Sequence, residues 1–367
     1  MIHLLGLAHT NTSKEHLCCA YSQKVLKMAQ MLEKLGLPAI HYGAAGSEVP
    51  CEHVTVITRE DQRQVYGDYD FGTDFYRHGA NDGAYQIFNR NAAYEVKRRM
   101  SEQDILLCSF GDYQKDLAKE IGLYLTVEMG VGYRGVFADF RVFESYAWAH
   151  FIYGRYNEGA RCYDAVIPNY FDLADFNFQG EKDGYLMYLG RLIPDKGVQT
   201  ALDVARITEM PLVLAGQGSM EGFDTQGVDW EHVGSVGAEE RNRLLGGAEA
   251  LLVPTRYIEP FGGVAVEAQL CGTPAITTDW GAFPETVLHG KTGYRCRTLD
   301  DFVNAVRARK RLVPRETRQW AERNFSLERV ALMYGEYFEK LTGLYKGGWY
   351  QDRGEHDGLD WLFKDYG

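Results

Sequence analysis

The chain has 367 residues, more than one ordinary core accommodates and enough for two domains. It is 45% apolar, yet no window approaches the roughly 18–20 apolar residues that cross a bilayer, which excludes a membrane-spanning reading. The formal charge of −12 counts against nucleic acid and anionic membranes as partners. The seven scattered cysteines, with no CxxC pair, exclude a zinc site and a disulfide framework and point to a reduced, cytoplasmic protein.

Residues 1–8 lack the positive flank of a signal peptide and read as a first strand over 2–8. An amphipathic helix is expected over 13–35, stopped by Gly36. Short strands follow at 38–42 and 54–57. The stretch 59–83 is polar and aromatic, has no clear period, and reads as a long loop. Its Asp68-Tyr69-Asp70 has the form of a DxD metal site, with two loop acids as the ordinary reading. A helix over 84–102, a strand over 104–108, another helix and a strand over 123–127 complete an alternation that predicts a parallel sheet with helices on both faces. The stretch 130–156 is rich in aromatics. Phe140, Phe143 and Phe151 fit a buried helix stripe, whereas Tyr133, in a glycine-flanked loop, is a candidate acceptor contact.

A polar linker at 169–184 precedes a second alternating series. Its strands are expected at 185–189, 211–215, 250–254 and 275–278, its helices near 198–209, 239–247 and 263–271, and the chain is helical over 299–344. The basic cluster from Arg307 to Arg318 reads as a solvated helix face. The tail at 345–367 carries Trp349, Tyr350, Trp361 and Phe363 and is expected to dock on the first domain. The domains are therefore 1–170, 171–344 and the tail. Open α/β domains place ligands outside the carboxyl ends of their strands, so the loops there carry the functional reading.

The first such loop is Gly190-Arg191-Leu192-Ile193-Pro194-Asp195-Lys196-Gly197. Arginine gives planar bidentate hydrogen bonds and lysine a compact charge, a pair suited to holding a diphosphate and to steadying it as it leaves. The plain alternative is two surface cations near a strand end. The second is Glu259-Pro260-Phe261-Gly262-Gly263-Val264-Ala265-Val266-Glu267, which opens a helix. Its glycines put free amides and the positive end of the helix dipole where an anion approaches the backbone closely. Glu267 is suited to accepting both hydroxyls of a ribose, and Glu259 to accepting hydroxyls of a transferred sugar. The alternatives are a dipole-favoured carboxylate and a loop charge.

The two glutamates in the form E-x-F-G-x(4)-E resemble the signature of GT-B glycosyltransferases of family 4, the group 1 glycosyl transferases. Cys271-Gly272-Thr273-Pro274-Ala275-Ile276 and the block from Glu285 to Gly293 resemble two further family blocks. The Gly190–Gly197 loop matches its G-R-x(4)-K-G, and Ile167-Pro168-Asn169-Tyr170-Phe171-Asp172 resembles its linker. Gly216-Gln217-Gly218 and Val236-Gly237 fall where it has a glycine turn and a base-contacting loop. The match runs from about 165 to 340.

The resemblance implies an α/β fold of two Rossmann-like doubly wound domains facing across a cleft. It implies that Arg191 and Lys196 hold the donor diphosphate and that Glu267 holds the ribose. Glu259 with the backbone of Phe261, Gly262, Gly263 and Val264 would hold the sugar, with Gly218 and Val236 on the nucleotide side. The implied reaction moves a hexose from a nucleotide-diphosphate sugar, UDP-sugar favoured, to an acceptor hydroxyl with retention. It uses no metal and no cofactor beyond that co-substrate.

The first half departs from the family. The loop His9-Thr10-Asn11-Thr12-Ser13 lacks the usual glycines. His9 and Thr10 are candidate acceptor contacts, a plain hydrogen-bonding role being the alternative for His9. At the end of the strand over 123–127, where many relatives carry a histidine, stands Glu128. A carboxylate there would take the acceptor's proton or stabilise an oxocarbenium-like centre; the alternative is a structural role. The acceptor is a glycan, a small molecule, a protein or a modified DNA base. Acidic residues outnumber basic ones in the first 180 residues, which weighs against lipid and DNA acceptors. Two other readings share the architecture. A sugar-nucleotide 2-epimerase is disfavoured by the paired motifs. A catalytically inactive sugar-nucleotide-binding protein is disfavoured by the intact Arg191, Lys196, Glu259 and Glu267 but kept open by the missing histidine.

Overall fold

Strands buried on both faces of a parallel sheet read as short continuous apolar runs, and most strands of this chain are of that kind. The computed structural model describes residues 1–15, 19–68, 78–157, 159, 161 and 163–344. The tail at 345–367, with its expected docking, and Tyr69 and Asp70 of the DxD-like triplet lie outside the described residues. Asp68 is exposed beside Arg63, 3.6 Å away.

The first domain contains β1 (Ile2–Leu5), α1 (Ala20–Lys34), β2 (Ala39–Ala44), β3 (Glu52–Ile57), α2 (Arg59–Tyr66), α3 (Gly83–Lys97), β4 (Ile105–Cys108), α4 (Asp112–Ile121), β5 (Leu125–Val131), β6 (Phe140–Phe143), α5 (Tyr146–Tyr156) and β7 (Ala165–Val166). Its described strands form one parallel sheet in the order β3-β2-β1-β4-β5-β6-β7. The second contains β8 (Leu186–Leu189), α6 (Val198–Thr208), β9 (Leu212–Ala215), β10 (Trp230–His232), α7 (Ala238–Gly247), β11 (Ala250–Val253), α8 (Gly263–Leu270), β12 (Ala275–Thr278), α9 (Phe283–Thr286), β13 (Gly293–Cys296), α10 (Leu299–Ala308) and α11 (Pro314–Phe325), and α12 (Leu327–Leu344) follows it in the chain. Its sheet runs β10-β9-β8-β11-β12-β13, again parallel. The strand order reverses between β1 and β4 in one sheet and between β8 and β11 in the other, the switch points at which such sheets bind ligands.

Several expectations change. The presumed loop over 59–83 begins with α2, whose start is a capping box. Asp61 N–H donates to Thr58 Oγ1 at 3.1 Å, and Asp61 Oδ2 accepts from Thr58 N–H at 2.9 Å. Only Gln62 of α2 is buried, so no apolar period announces it. Phe140 and Phe143 stand on β6 rather than on a helix stripe, and only Phe151 lies on α5. The short strands β10 and β13 at the edges of the second sheet were not anticipated. The helix expected from residue 13 starts at Ala20 with Cys19 as its cap, and the helical stretch over 299–344 is broken at Pro314 and Ser326.

The chain crosses between domains twice, side by side. Phe171 N–H donates to Phe325 O and Leu327 N–H donates to Phe171 O, both at 2.9 Å. After the second crossing α12 packs on α1, and Tyr337 OH donates to Tyr163 O at 2.9 Å. The last described helix therefore completes the helical layer of the first domain.

Candidate active site

The second domain supplies two loops at the carboxyl ends of β8 and β11. In the first, Lys196 ends a one-turn 3₁₀ helix and Gly197 adopts φ 76°. A Cβ on Gly197 would lie 2.1 Å from Pro254 O, so only glycine lets this turn rest on the end of β11. That contact brings Lys196 to the second loop. Its Nζ lies 2.8 Å from Glu259 Oε2 and 4.9 Å from the Tyr257 ring centre. Arg191 is exposed and, among the described residues, pairs with no carboxylate.

In the second loop Gly262, at φ 76°, starts α8, and no side chain caps the helix. A Cβ on Gly262 would meet the Phe283 ring at 2.5 Å, so a side chain there collides with the support of the loop. Glu267 lies one turn into α8. Its Oε2 is shielded from solvent and takes part in no hydrogen bond among the described residues, while Arg241 Nη1 on α7 stands 3.5 Å away. Its charge is met by that ion pair, and its hydrogen-bonding capacity is left for a ligand.

The first domain faces these loops with α1. Lys24 pairs with Glu144 and donates to Gly130 O at 3.1 Å. Lys27 donates to Tyr170 O at 3.4 Å and lies over the Phe171 ring, and its burial lowers the ammonium pKa. Between the domains lies a cavity of about 610 Å³, the size of a small-molecule site. Glu259, Phe261, Gly262, Gly263, Val264 and Glu267 line it from the second domain. Tyr21, Lys24, Lys27 and Glu144 line it from the first, and Arg241 joins them from α7. Sequence reasoning missed Lys24, Lys27, Glu144 and Arg241. The recurrence of Tyr21, Lys24 and Lys27 every third residue was the one available signal, a stripe of polar groups along the expected amphipathic helix.

The other candidates lie elsewhere. Lys196 touches the site through Glu259, whereas Arg191, Gly218 and Val236 do not line the cavity. Glu128, expected beside the reacting sugar, does not line it either. Fully buried on β5, it accepts from Tyr133 OH at 3.0 Å, Phe137 N–H at 2.7 Å and Ala138 N–H at 2.8 Å. Burial raises its carboxyl to about 7 against the pull of those donors. It therefore organises the loop between β5 and β6, and Tyr133 is its partner. His9 is buried, bonded to Tyr85 OH at 2.8 Å and stacked on His78, and its pKa falls well below the ordinary value through burial. Thr10 is buried with its hydroxyl on Asn11 O. The carboxylate that the first domain does present to the cavity is Glu144.

A contact between the domains stands next to this site. Glu285, on α9, accepts from Tyr146 N–H and Ala147 N–H at 2.8 Å each, and burial raises its pKa while these amides lower it. Ser145 Oγ donates to Pro260 O at 2.6 Å.

Two doubly wound domains that meet across a cleft, with an uncapped helix start and two glutamates on its second wall, form a GT-B protein. Residues 172–310, within the second domain, match the family model of glycosyl transferases group 1, the family that the motifs resemble. A glycogen synthase of Mycobacterium tuberculosis is 34% identical over 158 residues, 37% of this chain and 36% of that protein. The chain spans about a third to two-fifths of the length of the curated relatives it matches. Among solved structures, sucrose-phosphate synthase from Thermosynechococcus elongatus is similar at a TM-score of 0.70 and 16% identity, over 93% of this chain and 99% of that one. Anabaena HepE in complex with UDP-glucose is similar at 0.64 and 13% identity, over 94% and 99%. These likenesses give the fold. No helix among the described residues is long and apolar enough to cross a membrane.

Proposed function

We propose that this chain is a glycosyltransferase that moves a hexose from a nucleotide-diphosphate sugar to an acceptor hydroxyl, with retention and without a metal. What carries the reading is the convergence on one interdomain cavity of the uncapped start of α8, Glu259 held by Lys196, and Glu267, paired with Arg241 but with an oxygen that makes no hydrogen bond. In this reading the amides at the start of α8, with Lys196, take the diphosphate and its growing charge. Glu259 orients the sugar hydroxyls and Glu267 accepts those of the ribose. The acceptor oxygen attacks the anomeric carbon on the face that the diphosphate leaves. The carbon–oxygen bond to the diphosphate breaks, and the acceptor's proton passes to the departing phosphate oxygen. UDP is the favoured carrier, and the solved HepE complex with UDP-glucose supports that choice at the level of fold.

The test is a thermal-shift panel of UDP, GDP, ADP, CDP and their common sugar conjugates without added metal. One nucleotide is expected to stabilise the chain, by about 2.7 kcal/mol at a hundred times its Kd. Lys196→Ala and Glu267→Ala are expected to keep the fold and lose transfer. Full transfer by either variant would reject the site, and no stabilisation by any nucleotide would favour an inactive binding role.

A further inference from the structure

The start of α5 belongs to the first domain, yet its hydrogen bonds are completed by the second. The first amides of a helix have no acceptor inside it. Ser145 Oγ accepts from Trp148 N–H at 3.0 Å, and the Glu285 carboxylate accepts from Tyr146 and Ala147. Ser145 also donates to Pro260 O, the carbonyl between Glu259 and Phe261.

Glu285 in turn belongs to the segment on which the Glu259 loop rests. Ala282 N–H donates to Glu259 O at 3.0 Å. A Cβ on Gly281, at φ 62°, would come within 2.7 Å of Glu259 N, and Phe283 lies against Gly262. One short stretch, 281–285, thus supports Glu259 and Gly262 on one side and caps α5 on the other. Ser145 and Glu285 do not line the cavity, so they act through these neighbours. These bonds join α5 of one domain to the segment that supports the loop in the other, so any parting of the domains at this contact would break them.

We propose that Ser145 and Glu285 are positioning residues that couple domain closure to the geometry of the Glu259–Gly263 loop, so that the donor sugar is held productively only when α5 is capped from the opposite domain. The substrate named here rests on the proposed transferase reading; the contact itself does not.

The experiment uses the full chain with Glu285→Gln, Ser145→Ala and Ser145→Thr, which keeps the hydroxyl. Three quantities are measured: amide exchange at Tyr146 and Ala147, UDP affinity, and kcat and KM for the donor found by the nucleotide panel. Exchange in α3, remote from the contact, reports that each variant is folded. Glu285→Gln and Ser145→Ala are expected to speed exchange at the two amides and to lower kcat about tenfold, with UDP affinity within about twofold of wild type. Ser145→Thr is expected to behave as wild type. Faster exchange with unchanged kcat would overturn the coupling. Unchanged exchange in both variants would overturn the contact. Failure of the wild-type chain to bind UDP or any other nucleotide would instead overturn the donor reading, and the exchange data would still decide the contact.

Discussion

Lys196 and Glu259 come from different loops and meet at 2.8 Å in the half-buried wall of the cleft. On the proposed reading the pair holds both side chains in rotamers suited to a sugar diphosphate, and the phosphate competes with Glu259 for the ammonium. Both residues were legible as candidates from the motifs, but their contact was not. Glu128 shows the opposite case, a residue singled out by position whose surroundings give it other work. Its folded pKa of about 7 lies above the ordinary carboxylate value, so between about pH 4.5 and 7 the folded chain binds more protons than the unfolded one. Stability from this group is present at low pH and is lost as pH rises through that window, on the order of 3 kcal/mol in all. In urea denaturation at pH 5 and pH 8, the stability of wild type relative to Glu128→Gln is expected to fall by that order at the higher pH. A constant difference would mean that Glu128 is ionised at both.

At the scale of elements, β6 and β7 are joined by a buried pair. Arg141 Nη2 and Nε donate to Asp164 Oδ2 and Oδ1 at 2.8 and 3.0 Å, and Tyr153 OH on α5 donates to the same carboxylate at 2.9 Å. Asp164→Ala removes the carboxylate that faces a buried guanidinium and is expected to cost about 3–5 kcal/mol, read as a lower denaturation midpoint at unchanged slope. A loss below about 1 kcal/mol would show that this pair does not hold the two strands together. Elements with a strong local signature were the legible ones. Gly262-Gly263 before an apolar run announced α8, the apolar run at 250–253 announced β11, and the β-branched run at 276–278 announced β12. The capping box of α2 was overlooked because its acid is Asp61 and no apolar face follows. The two exposed residues of β10 carry no alternation, so its place at an edge is set by its pairing with β9.

At the scale of the whole molecule, α12 is the piece that makes two domains one protein. Met333, Tyr334, Tyr337, Phe338 and Leu341 are buried in one cluster with Met28, Met31 and Leu32 of α1. Each such side chain contributes about 1.5–3 kcal/mol, so together they rival the 5–15 kcal/mol of a whole domain. A chain ending at Ser326 is expected to lose cooperative unfolding and to aggregate in size-exclusion chromatography. A monomer with the wild-type melting temperature would contradict this.

By itself the sequence determined the α/β alternation and the two loops that carry Lys196 and Glu259. Those depend on periods, glycines and carboxylates within a few residues of one another. The tertiary structure alone decided which groups face the cleft from the first domain. Lys24 meets Glu144, and Glu285 reaches the start of α5, across well over a hundred residues of chain. Burial then decided that Glu144 opens to the cavity while Glu128 is spent inside its own loop. Such pairings arise because unmade bonds of buried charges and amides are costly, and no local pattern records which distant partner satisfies them.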